Sequence, residues 1–136
     1  MTKQELIEYW LITAERDFKS AKSFFKTKKY DWCLFAAHLM IEKVLKAFWV
    51  RDATKPVPYI HNLTKLAKET TLTLSEEHIQ LLQEVQTFNI LTRYPDYKFA
   101  FYKRCTKEFT STWLQKSSEL YQWLLSQIKS EQASQS

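Results

Sequence analysis

Not one of the 136 residues is glycine, and no other feature constrains the fold as much. A β-rich chain needs turn residues at positive φ, which glycine adopts without steric cost. Proline, the other strong punctuator, is confined to Pro56, Pro58 and Pro95. The pattern predicts an all-α fold of helices joined by few loops. The length fits one domain, which removes about two-thirds of its unfolded surface from water without metal or disulfide help. That domain is expected over residues 1–130, with residues 131–136 a polar, disordered tail.

The most apolar run is Tyr30–Ala53, YDWCLFAAHLMIEKVLKAFWVRDA. At helical period, Cys33, Leu34, Ala37, Met40, Ile41, Val44, Ala47 and Phe48 share one apolar side. That side is too wide for a helix lying on a surface, so the segment is expected at the centre of the bundle. Asp31, Phe35, His38, Glu42, Lys46 and Trp49 fall on the other side, within an arc of roughly 80°. A polar line therefore runs along an otherwise buried helix. It reads either as a satisfied histidine beside an i,i+4 Glu–Lys pair or as the wall of a cleft.

The flanking segments follow the same period. A first helix is predicted from Thr2 to about Thr27, with Thr2 and Glu5 at capping-box spacing. Asp17 borders its apolar stripe, either in water or as partner of a cation on the second helix. Arg16, Lys19, Lys22, Lys26, Lys28 and Lys29 form a basic line, a solvated face or a phosphate patch. The short turn at Lys28–Lys29 makes the first two helices an antiparallel hairpin. Pro56 and Pro58 favour an extended break. A short third helix is expected over His61–Thr70, and Ser75 caps a fourth that runs to about Leu91. Thr92–Arg104, TRYPDYKFAFYKR, interleaves five aromatic residues with four cations. It reads as a loop laying rings over the bundle, or as a stacking, phosphate-tracking surface. A last helix follows, from about Thr106 to Lys129.

The net charge of +5 and pI near 9.1 bias the protein toward anionic partners. Cys33 and Cys105 form no CxxC pair and support no disulfide framework. The three histidines lack zinc-ligand spacing, and no metal or cofactor is expected. The N-terminus lacks a signal-peptide layout and no uncharged apolar run approaches a membrane span, so a cytoplasmic location without membrane association is expected.

Taken together, the segments resemble the HEPN family of small helical domains. The resemblance rests on Trp10, Ala14, Asp17 and Ala21, then Tyr30 and Phe35, then Glu42-Lys43-x-Leu45-Lys46-Ala47. It continues with His61-Asn62-Leu63, Leu66 and Arg93-Tyr94-Pro95-Asp96, covering about residues 5 to 128. It implies an antiparallel up-and-down bundle of four long helices plus a short one, often homodimeric. It further implies nucleotide or RNA binding, and for many members a toxin–antitoxin pairing with a minimal nucleotidyltransferase. The helical domain of aminoglycoside nucleotidyltransferases is similar; there a carboxylate and a lysine one turn apart aid the chemistry, a spacing Glu42 and Lys46 share.

Ribonuclease members of the family carry Arg, four to six residues, then His. Metal-free RNA cleavage needs a base for the 2′-hydroxyl and a cation for the developing charge. After Arg93 those registers hold Lys98, Phe99 and Ala100, and no His follows anywhere. Lysine, with a usual pKa near 10.4, is a poor base at neutral pH. The leading reading is a non-catalytic module that binds a nucleotide, RNA or a nucleotidyltransferase partner. The rivals are a degenerate or composite-site ribonuclease toxin and a homodimeric adaptor without ligand. The expected ligand site joins Asp17, His38, Glu42 and Lys46 to Arg93, Tyr94, Asp96 and Tyr97, with Arg93 folded back toward the central helix to share a phosphate with Lys46.

Overall fold

The computed structural model describes residues 1–135, with side chains to Lys129, so the expected tail over residues 131–136 lies outside the fully described residues. Six helices and no strand occur among the described residues. In chain order they are α1 (Lys3–Lys26), α2 (Tyr30–Asp52), α3 (Leu63–Lys68), α4 (Glu76–Arg93), α5 (Pro95–Arg104) and α6 (Lys107–Gln135).

α1 starts where the capping box places it. The Thr2 hydroxyl accepts from the Glu5 amide, and Glu5 accepts from the Thr2 amide. Its buried residues Ile7, Ala14 and Ala21 form a narrow stripe, and the two alanines let α1 lie close along α2. The helix ends in a Schellman turn: Lys29 N–H reaches the Phe24 carbonyl and Lys28 N–H the Phe25 carbonyl. That turn places one residue in the left-handed region. With no glycine in the chain, Lys28 takes it, at φ 62°.

α2 is the axis of the molecule and packs against α1, α3, α4 and α6. Its apolar side is fully buried, from Cys33 to Phe48. The polar line is buried too, at Asp31, His38, Glu42, Lys46 and Trp49. The helix therefore has almost no solvated face, and its polar groups must find partners inside the protein.

Two elements differ from the sequence expectation. α3 begins at Leu63, because the Asn62 side chain caps it by accepting from the Lys65 amide. His61 thus precedes the helix and is free to turn back toward α2. The second difference is α5, a ten-residue helix where a loop was expected. Pro95 occupies its first turn, Asp96 faces the positive end of its dipole, and Lys103 and Arg104 complement the negative end. Only Phe101 of this helix is buried, against Phe88 at 5.7 Å between ring centroids. One anchoring ring in ten residues leaves no amphipathic period to read.

Candidate functional site

The buried polar line of α2 draws part of its partners from outside its own helix, while His38 Nδ1 has none among the described residues. Glu42, 3% exposed, takes the half-exposed His61 ring on one oxygen (Nδ1 to Oε1, 2.6 Å) and Lys46 on the other (Nζ to Oε2, 3.5 Å). A carboxylate only accepts, so His61 Nδ1–H donates. Lys46 also lies over the Trp10 ring, 5.2 Å from its centroid. His38 Nε2–H donates to the His61 carbonyl at 3.3 Å. Burial disfavours the imidazolium and outweighs the pull of Glu42, so the His38 pKa falls to about 4 and the ring is neutral at pH 7. One residue after another, the line thus fixes the extended segment ahead of α3. Trp49 does the same further on, donating to the Lys55 carbonyl at 2.9 Å.

A different surface forms where α5 crosses the start of α2. Two adjoining grooves share Asp31 and Tyr102. One, about 420 Å³, is lined by Asp31, Pro95, Lys98, Phe99 and Tyr102. The other, about 460 Å³, is lined by Phe24, Lys28, Lys29, Asp31, Trp32 and Tyr102. Large rings stand in water here: Phe99 is 66% exposed and Tyr102 63%. Lys98 lies over the Trp32 ring at 5.3 Å, and Lys103 over Phe99 at 4.5 Å. The surface carries cations over and beside exposed aromatic rings, with Asp31 the one acidic lining residue.

The expected site residues fall into three places. Asp17 pairs with Lys43 at 2.6 Å and ties α1 to α2; it is the interhelical partner that the sequence offered as one of two readings. His38, Glu42 and Lys46 meet around His61. Arg93, Tyr94, Asp96 and Tyr97 are exposed at the α4–α5 junction. The expected sharing of a phosphate between Arg93 and Lys46 is not what the fold provides. Pro95 lies with Asp31 at the start of α2, and at about 1.5 Å per residue Lys46 is about 22 Å further along that helix. Arg93 instead bonds Asn89, one turn back, at 3.2 Å. The Arg93–Asp96 segment has a local role: it ends α4 and, through Pro95, starts α5. Tyr97 lines a small hollow with Leu91, Ala100, Phe101 and Arg104.

The expected site lacked His61, Trp32 and the Lys28–Lys29 pair, and from the aromatic, basic run it lacked Lys98, Phe99 and Tyr102. Trp32 and the lysines flank the helical hairpin turn, a place where exposed tryptophan beside paired cations is a readable signal. His61 is linked to Glu42 across 19 positions, a separation that no helical period encodes. A larger groove, about 490 Å³, lies between α4 and α6 and includes His78, Trp113, Lys116 and Trp123. There His78 stacks on Trp123 at 4.0 Å, and Glu77 and Glu119 offset the charge of Lys116.

A helical hairpin wrapped by four further helices, with a polar line on its central member, defines a class of small all-α bundle. The HEPN domain model matches residues 7–128, and the chain belongs to the HEPN domain family. A solved structure described as the crystal structure of TT1696 from Thermus thermophilus shares the fold. It has a TM-score of 0.74 at 20% identity, over 87% of this chain and 94% of that one. Comparison with curated proteins gives no match. Family membership supports a nucleotide-binding or RNA-related module in general terms. No helix among the described residues is long and apolar enough to cross a membrane.

Proposed function

We propose that this HEPN domain is a non-catalytic module that binds single-stranded RNA on the surface formed by α5 and the α1–α2 turn. The observation that carries the reading is the exposed Trp32, Phe99 and Tyr102 rings set among Lys28, Lys29 and Lys98. Every base offers a π-face, so such rings stack without regard to sequence. The lysines neutralise phosphates as mobile point charges, which suits a flexible strand. The non-catalytic part rests on the sequence after Arg93, which offers no base in the required register, and on Arg93 being held by Asn89 rather than aimed at a partner histidine.

Fluorescence anisotropy with a labelled single-stranded RNA tests the proposal. Tyr102→Ala removes one stacking platform, worth about 1–3 kcal/mol, and is expected to weaken binding between about fivefold and a hundredfold. Replacing Lys28, Lys29 and Lys98 together by alanine removes three phosphate contacts and flattens the slope of log K against log salt by about 2. Wild-type binding untouched by both changes overturns the assignment of the surface.

A further inference from the structure

The three histidines take two proton arrangements, and His61 alone is held with its Nδ1 protonated on a half-exposed side chain. His38 donates from Nε2 to the His61 carbonyl, which leaves its lone pair on Nδ1, inside the core. His78 accepts the Ser75 amide on Nδ1 as part of the α4 cap, at 3.3 Å, so in the neutral ring the proton must sit on Nε2. His61 is the reverse case. Its Nδ1–H is taken by the buried Glu42 at 2.6 Å, and the neutral ring carries its free lone pair on Nε2. The His61 side chain is half exposed, whereas the carboxylate that orients it is 4% exposed. A carboxylate fixing the tautomer of a histidine whose other nitrogen is open is the arrangement that activates imidazole as a base or nucleophile.

We propose that His61 is a phosphoryl-acceptor site, with Nε2 as the attacking atom and Glu42 as its positioning residue. The reactive partner is a small anionic phosphoryl donor, drawn by the net charge of +5, while Lys46 offsets the charge of Glu42 beneath the ring. In the step, the Nε2 lone pair forms the N–P bond as the bond from phosphorus to the leaving group breaks. With phosphoramidate the leaving group departs as ammonia after taking a proton from water. The ring keeps its Nδ1 proton, and Glu42 stabilises the positive charge that the ring acquires. No oxidant or metal enters the balance. The inference is independent of RNA binding, which is placed on other residues.

The test is incubation of the folded protein with phosphoramidate at about pH 8, above the ordinary histidine pKa, with the modified residue located by mass spectrometry. His61 is expected to be phosphorylated on Nε2 at least about tenfold faster than His78, the other histidine outside the core, with no modification of His38. Glu42→Gln removes the acceptor that fixes the tautomer and is expected to slow His61 by a similar factor while leaving His78 unchanged. Where that variant fails to fold, nitrogen-15 NMR of wild-type imidazoles gives the same information, with the neutral His61 ring protonated on Nδ1. His61 reacting no faster than His78, or protonated on Nε2 in its neutral form, overturns the proposal. His61→Asn is expected to abolish the modification and leave RNA affinity unchanged, so failure of the RNA-binding reading is read separately.

Discussion

Replacing Glu42 by alanine strands two groups at once. Lys46 is 8% exposed and holds its charge against Glu42 and the Trp10 ring; His61 loses the acceptor for Nδ1–H. Removing one partner of a buried ion pair costs about 3–5 kcal/mol, because the other charge stays desolvated. His61 is half exposed and recovers water, which places Glu42→Ala at the low end, about 3 kcal/mol. For a domain of this size that is a fall in melting temperature of about 10 °C. The same reasoning makes a sharper claim about the pair. Glu42→Met with Lys46→Met removes both charges and keeps their volume, so the double variant is expected within about 1 kcal/mol of wild type. Urea and thermal melts of wild type, the single and the double variant decide it. A double variant as unstable as the single one refutes the argument, since the cost would then lie in lost contacts rather than a stranded cation.

Three other outcomes follow. The folded-state pKa of His38, near 4 against an ordinary value near 6.5, means the unfolded chain binds more protons between those values. Stability is therefore complete above about pH 6.5 and falls by about 3 kcal/mol as pH drops to about 4; urea midpoints across that range should show the slope, and His38→Gln should flatten it. Lys28→Gly relieves a non-glycine residue at positive φ and is expected to stabilise by about 1 kcal/mol in thermal melts while weakening RNA binding, whereas a lower melting temperature would place the strain elsewhere. Purified protein should leave structured and single-stranded RNA intact in the presence of a chelator; cleavage that disappears in Arg93→Ala would contradict the non-catalytic reading.

What the sequence conveyed and what it withheld divide along physical lines. Local signals were legible: the Thr2 and Ser75 caps, the hairpin turn and the burial of α2 all rest on residues within a few positions of one another. The absence of glycine correctly excluded a β fold, although among the described residues one left-handed position persists and a lysine fills it. The aromatic run after Leu91 misled because its rings point outward, and a helix that buries Phe101 alone has no period to detect. The polar line on α2 was readable as a line, but its partner was not. His61 comes from an extended segment, and only the packing of that segment brings it to Glu42. The expected meeting of Arg93 with Lys46 required the direction of α4 along α2. Antiparallel packing carries its end, through Pro95, to Asp31 instead.

The most direct test of RNA binding on the α5 surface is ultraviolet crosslinking of a bound single-stranded RNA, with peptide mapping of the attached residues. The groove geometry predicts crosslinks at Trp32, Phe99 and Tyr102, lost when Lys28, Lys29 and Lys98 are replaced by alanine. Crosslinks confined to Trp113 and Trp123, in the groove between α4 and α6, would contradict it.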